Sequence, residues 1–126
     1  MAKAKIEGMN ELQSRLKSLG VRGRLVENSA VKAGGRIVKK RMKQEVTVSD
    51  KKHLHIRDDI QMSGVRRKDG IPHVDIGPKE TAWRAKFLEF GTKKMSPNPF
   101  ISRSEKLSEQ DVGRTIEREL KKGLGL

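Results

Sequence analysis

Two histidines and two aspartates lie close together near the middle of the chain, and metal binding is the chemistry that these residue types would support. His53 and His55 are separated by one residue, and Asp58 and Asp59 follow shortly after. Because alternate residues of a strand share a face, both imidazoles could reach one metal ion. The spacing supplies no third ligand, so we expect a polar loop here, with no metal site and no cofactor.

Glu89 is the second candidate for chemistry, since it is the one carboxylate inside the only aromatic stretch. The single Trp and all three Phe of the chain fall within positions 83 to 100, and the chain has no Tyr. A general base works with a partner group, but spacing ties no histidine or second carboxylate to Glu89. The chain also lacks cysteine, and therefore a thiolate nucleophile. We expect Glu89 to be a structural carboxylate with a backbone or arginine partner, and the chain not to be an enzyme.

Composition indicates a small basic protein that gains stability by assembly. The chain has 126 residues, the length of a single domain covering residues 1–126. Only 33% of the residues are hydrophobic and 36% are charged, so the core is modest and association with copies of itself is favoured. The formal net charge of +13 favours an acidic partner, nucleic acid first. The sequence shows no signal peptide and no membrane span, so we expect a soluble protein made in the cytoplasm.

The elements that must position these residues are predicted to form an α+β fold. Leucines at helical spacing after Asn10 predict a short first helix that ends at Gly20, and a longer second helix is predicted over residues 24–45. Inside the second helix, Gly34-Gly35 is expected to allow close approach of another backbone. The basic residues that share one face of this helix are Lys32, Arg36, Lys39 and Lys43. Of these, Lys39 and Lys43 are candidates for contact with DNA or an acidic partner.

A long antiparallel hairpin is predicted next, because Asp69-Gly70 is a strong two-residue turn signal. The pairs that this turn predicts are Arg66 with His73, Val65 with Val74, and Ser63 with Ile76. Ile60 and Met62 then fall on the polar face, so we expect a bulge near Ser63-Gly64 or a sheet covered on both faces. The further candidates for contact with DNA or an acidic partner are the basic residues of the tip, Arg66, Arg67 and Lys68.

The aromatic stretch is predicted to be a joint between two helices. A short aromatic helix begins at Thr81 and ends at Gly91, and residues 92–95 are expected to form a short strand. Pro97 and Pro99 hold the chain extended before a C-terminal helix.

The four aromatic side chains are expected to divide between core and surface. We expect Phe87 and Phe90 to pack in the core, because aromatics bury the largest apolar area per residue. Trp83, Phe100 and the 92–99 segment are expected to meet a neighbouring subunit.

The same stretch resembles the signature of a known protein family. Phe-Leu-Glu-Phe-Gly-Thr at 87–92, followed by Pro-Asn-Pro-Phe-Ile at 97–101, is similar to the pattern of the head–tail joining, or tail-completion, proteins of long-tailed phages and prophages. The residues that match the pattern are Trp83, Ala85, Phe87, Leu88, Glu89, Phe90, Gly91, Thr92, Pro99, Phe100 and Ile101. Residues 46–55 depart from it, because they lack the proline and glycine that the family usually has there.

The resemblance implies a virion structural protein without catalytic activity. It implies an α+β subunit that assembles in the host cytoplasm into a ring, six-fold in symmetry, around the DNA passage at the head–tail junction. The implied partners are other copies of the chain, the tail terminator or tail tube, and the head connector, with possible non-specific contact with phage DNA. The residues through which the ring is expected to close, against a neighbour's sheet or helix, are Trp83, Phe87, Glu89, Phe90, Gly91, Thr92, Pro97, Pro99 and Phe100.

Two other functions are weighed against this interpretation. A non-specific nucleic-acid-binding module would explain the positive charge, but no aromatics are interleaved with the basic residues as on a single-strand stacking platform. A small basic ribonuclease would need a constellation of His, Tyr or carboxylate groups, and no motif organises the three histidines. The nucleic-acid-binding module is therefore the alternative.

Overall fold

The described residues form five helices and a long β-hairpin, which confirms the predicted α+β class. The computed structural model describes residues 9–47, 52 and 54–126. The elements are α1 (Met9–Ser18), α2 (Val21–Glu45), α3 (Ile56–Asp59), β1 (Ile60–Met62), β2 (Arg66–Lys68), β3 (Ile71–His73), β4 (Ile76–Pro78), α4 (Ala82–Phe90) and α5 (Phe100–Gly123). Their order is the predicted one, except that the single turn of α3 was not expected.

The two long helices, α2 and α5, pack against each other and form the frame of the fold. Glycines on α2 make this packing close. A Cβ atom added at Gly34 would lie 3.2 Å from side-chain atoms of Val112 and Ile116 on α5. One added at Gly35 would lie 2.7 Å from the sulfur of Met62 and 2.8 Å from Val74 on the hairpin. The expected close approach at Gly34-Gly35 is therefore present, but side chains occupy the space rather than another backbone.

The short helix α1 docks on the frame through two buried leucines. Leu12 and Leu16 form an apolar cluster with Ala30 of α2 and Leu120 of α5. The predicted break between the first two helices was too long, because α2 begins at Val21. Gly23 lies inside α2, buried against the backbone carbonyl of Leu16, and a side chain there would push α1 away.

The hairpin contains the predicted turn and the predicted bulge. Asp69 and Gly70 both have positive φ angles, 53° and 77°, as a type I′ turn requires. The Arg66–His73 pair was predicted correctly. Ile76, however, pairs with Met62 rather than with Ser63. Residues 63–65 on one strand therefore face only residues 74–75 on the other, which is a one-residue bulge.

The larger apolar cluster lies where the end of α2, the base of the hairpin, α4 and the start of α5 meet. Its buried members are Met42, Val46, Ile56, Ile60, Ala85 and Phe100. Together with the cluster under α1, it makes a core in two parts.

Among the described residues, no helix is long and apolar enough to cross a bilayer.

Candidate functional site

Helix α4 presents three aromatic side chains to solvent on one face. Trp83, Phe87 and Phe90 follow each other at spacings of four and three residues, which places them side by side on a helix. They are 64%, 49% and 73% exposed. The Trp83 and Phe87 rings meet edge to face, with centroids 6.4 Å apart, and the guanidinium of Arg84 lies 5.9 Å from the Trp83 ring centroid. We call Trp83, Phe87 and Phe90 the aromatic face.

The expected division of the aromatics is corrected at three of the four positions. Phe87 and Phe90 are exposed, so neither anchors the core of the chain. Phe100 is 0% exposed and lies in the larger apolar cluster, so it does not offer a surface to a neighbour. The reason is that α4 packs on the fold through Ala85 and Leu88, on the side opposite its aromatics.

Glu89 joins α4 to the start of α5. One carboxylate oxygen accepts a hydrogen bond from the Ile101 backbone N–H at 3.0 Å, and the other accepts from the Ser102 N–H at 3.1 Å and from its hydroxyl. The first backbone N–H groups of a helix have no partner within it, and a carboxylate there also meets the positive end of the helix dipole. Glu89 is therefore a helix cap supplied from another element, which confirms the expected structural role with a backbone partner.

Replacing Glu89 by alanine is expected to lower the free energy of unfolding by about 1–2 kcal/mol, the usual value of a helix cap. The glutamine variant should lose less, since its side-chain oxygen still accepts one hydrogen bond. Urea denaturation followed by circular dichroism measures both losses. Glu80→Ala, which removes an exposed glutamate just before α4, is the matched control and should stay within about 0.5 kcal/mol of the wild type. Equal losses for the two alanine variants would contradict the capping role.

Residues 91–99 turn the chain sharply between the two helices. Gly91 ends α4 with a φ angle of 76°, and an added Cβ would lie 2.9 Å from the carbonyl oxygen of Met95 and from the nitrogen of Pro97. Only glycine fits this conformation and this space. Thr92 and Met95 form one isolated bridge, so the predicted short strand is no more than a tight turn.

Arg103 holds the turn against α2, and the sequence did not single it out. Its guanidinium donates to the side chain of Glu45 at 2.9 Å, to the Glu45 carbonyl at 3.1 Å and to the side chain of Asn98 at 2.9 Å. Asn98 in turn donates its backbone N–H to the carbonyl of Leu88 in α4. The position of the aromatic face is thus set by polar contacts as well as by the core.

A buried carboxylate, Asp59, fixes the other end of α4. One of its oxygens accepts hydrogen bonds from the Lys79 N–H at 2.9 Å and from the N–H and hydroxyl of Thr81, both at 2.8 Å, and the other accepts from Gln61 at 3.3 Å. Burial alone would raise the pKa of Asp59, but these hydrogen bonds outweigh it and hold the pKa below its ordinary value. His53 lies outside the described residues, so the pair of His53 and His55 is not described. The carboxylate of Asp59 already accepts hydrogen bonds from residues of the fold.

The basic candidates fall into separate groups. Arg67 is engaged within the chain, because it donates to the carbonyl of Arg24 at 3.1 Å and to the side chain of Asn28 at 2.9 Å, and pairs with Glu27 at 3.4 Å. It therefore pins the hairpin tip to the first half of α2. Arg66 and Lys68 remain exposed at that tip.

Lys39 lies on the second half of α2, about 16 Å along the helix from Asn28 at 1.5 Å per residue. The structure therefore does not unite Lys39 and Lys43 with the tip. Between positions 32 and 43 of α2, Arg41 has an ion pair with Glu45 at 3.9 Å. We call the other exposed or half-exposed cations of this stretch, which are Lys32, Arg36, Lys39, Lys40 and Lys43, the basic face. Within the described part of the chain, no ion pair involves any of them.

A basic groove of about 470 Å³ runs beside this face, between α2 and α5. Its charged lining residues are Lys40, Arg41, Arg114, Arg118 and Asp111. This groove could not be predicted from the sequence, because the arginines of α5 become neighbours of α2 only in the folded chain.

Comparison with known proteins identifies the family of the chain. A family model described as "Bacteriophage HK97-gp10, putative tail-component" matches residues 10–91. The match runs from α1 to the end of α4, so four residues of the pattern lie outside it: Thr92, Pro99, Phe100 and Ile101. No curated protein and no solved structure matches the chain. Since the matched range is more than half of the chain and its family is consistent with the resemblance, the chain belongs to the HK97-gp10-like family of bacteriophage tail components.

Proposed function

We propose that the protein is a structural subunit that completes the phage tail and joins it to the head connector, as a ring around the DNA passage. Membership of a phage tail-component family supports a virion structural role. The observation that carries the ring is the aromatic face, since it gives each subunit a strongly apolar surface that the described residues leave exposed.

The size of the aromatic face supports a contact between proteins. Taking about 200 Å² for a free aromatic side chain, the exposed fractions leave roughly 370 Å² of aromatic surface in water. This is comparable to the largest apolar patch on a typical monomer, about 300–600 Å², which is often functional. A stable interface buries about 800 Å² on each partner. The aromatic face would therefore supply the apolar centre, with polar residues around it.

Self-association is expected to depend on the aromatic face. Sedimentation velocity of the purified protein over a range of concentrations should show a ring-sized species, and Phe90→Asp should abolish it, because the charge would have to be buried. Leu25→Asp is the matched control, since Leu25 is 63% exposed on α2, and it should associate as the wild type does. Fluorescence of the single tryptophan provides a second readout, because Trp83 should shift to shorter wavelength on association.

A wild-type protein that stays monomeric at every concentration, alone and with tail tubes, would contradict the proposed ring.

The joining role is tested by a separate experiment. Heads and tails from particles that lack the protein should join when the wild type is added, and Phe90→Asp should not restore joining.

The basic face favours a second candidate function, non-specific binding of nucleic acid, because five cations on α2 have no acidic partner in the described part of the chain. This candidate predicts affinity for free duplex DNA that falls steeply with salt concentration. Such binding, unchanged in Phe90→Asp and without self-association, would favour it over the ring.

A further inference from the structure

The two parts of the core are separated by an open apolar crevice of about 460 Å³. Its floor is the Gly34-Gly35 surface of α2, and its walls are the return strand of the hairpin and one side of α5. The aliphatic residues that line it are Val31, Val38, Val74, Ile76, Ile101, Val112 and Ile116. All seven are only half-buried, so this middle section of the core is left partly in water. We call it the central crevice.

The charge of the central crevice is opposite to that of the chain. Two carboxylates, Asp75 and Glu105, belong to its lining, and among the described lining residues there is no lysine or arginine. In a chain of net charge +13, this is an acidic rim around an apolar hollow. Among the described residues, Asp75 has only a loose, exposed ion pair with Arg66 at 3.9 Å, so both carboxylates can meet an external cation.

The aromatic face has the complementary character. It is apolar, and it is bordered by Lys86 on α4 and followed by Lys93 and Lys94, all three of them exposed. None of these lysines has an ion pair with another described residue. The aromatic face is therefore an apolar surface with a basic border, whereas the central crevice is an apolar hollow with an acidic rim.

We propose that the central crevice of one subunit receives the aromatic face of a second copy of the chain. This pairing rests on the proposed ring and names the surface that the aromatic face meets. The two surfaces are different parts of one chain, so each subunit can give its aromatic face to one neighbour and receive that of another. Such head-to-tail contacts are the kind that close into rings. The pairing covers both apolar surfaces at once, and it places the lysines beside the carboxylates of the rim.

Cross-linking between two single-cysteine chains tests the pairing. The wild type has no cysteine, so only the introduced thiols react. Lys86→Cys marks the border of the aromatic face and Glu105→Cys marks the rim of the crevice. Gln110→Cys, also exposed on α5, is the control. It lies five residues further along the helix and therefore on a different side. All three are surface substitutions, for which changes in stability are small.

Under associating conditions, a short bis-maleimide should link Lys86→Cys to Glu105→Cys several-fold more efficiently than to Gln110→Cys. Equal or absent cross-linking in a sample that sedimentation shows to be assembled would overturn the pairing and leave the ring proposal standing. A sample that neither assembles nor cross-links would overturn both. Sedimentation of the same samples thus separates failure of this inference from failure of the proposed function.

Discussion

Replacing Asp59 by alanine is expected to lower the free energy of unfolding by about 3–5 kcal/mol. The variant leaves two backbone N–H groups and the Thr81 hydroxyl without their acceptor, and each buried unpaired donor costs about 1–3 kcal/mol. Chemical denaturation at pH 7 measures the loss. Asp58→Ala is the control at the neighbouring, exposed carboxylate, and it should change stability by no more than about 0.5 kcal/mol. A similarly small loss for Asp59→Ala would contradict the assigned role.

The same carboxylate gives the fold a defined pH dependence. The pKa of Asp59 is lower in the folded protein than its ordinary value, so the folded state favours the ionised form. This stabilisation is fully present above the unfolded-state pKa of about 3.9 and is lost as the pH falls through the lower folded-state pKa. The wild type should therefore lose more stability below about pH 4 than Asp59→Asn, which has no titrating group there. Parallel pH profiles of the two proteins would show that ionised Asp59 does not contribute this pH-dependent stability.

Alanine substitution is expected to lower the free energy of unfolding strongly at Phe100 and hardly at all at Phe90. Phe100→Ala removes a side chain that is wholly buried in the larger apolar cluster, and it should cost about 3–5 kcal/mol of stability. Phe90→Ala removes a side chain that already lies in water, so its unfolding should stay within about 0.5 kcal/mol of the wild type. Urea denaturation measures both losses, at a protein concentration where the chains are monomeric, because association would itself add stability.

Self-association is expected to be weakened more by Phe90→Ala than by Phe100→Ala, which is the reverse of their order in stability. Phe90→Ala should weaken self-association although it folds normally. Comparable losses of stability in both variants would mean that Phe90 packs in the core after all. Normal association of Phe90→Ala would remove it from the proposed interface.

Local sequence signals were sufficient for much of the fold. The Asp69-Gly70 turn requires positive φ angles that few residue pairs adopt, so the turn was predictable. The pair of Arg66 with His73, three positions from the turn on each strand, was predictable with it. The apolar parity of Ile60 and Met62 conflicted with that register. This conflict predicted either a bulge or a sheet covered on both faces, and the bulge is present. Gly91 as the end of α4 follows from the same physics, since its conformation excludes other residues.

The side of α4 that is buried could not be predicted in the same way. An apolar stripe on a helix looks identical in sequence whether it meets the core of its own chain or another subunit. Phe87 and Phe90 were therefore assigned to the core, and Phe100 to the surface. What decides the outcome is the packing of Ala85 and Leu88, which depends on elements far away in the chain.

The polar contacts of the site were also beyond the reach of local patterns. Asp59 accepts hydrogen bonds from Thr81, and Arg103 donates to Glu45, across long stretches of sequence. No spacing rule connects such residues, because their proximity is a result of the tertiary fold. For Glu89, the sequence predicted a structural carboxylate with a backbone or arginine partner. It did not predict that Glu89 caps α5.

Because of the bulge, the number of residues in the first half of the hairpin is itself constrained. Successive residues of a strand point to opposite faces, so the extra residue between Met62 and Arg66 is what lets Met62 and Arg67 both point toward α2. Deleting one residue there would keep every remaining side chain, yet it would turn one half of the hairpin over. Homologues in which this stretch differs by a single residue must therefore either realign the hairpin or place different residue types on its two faces.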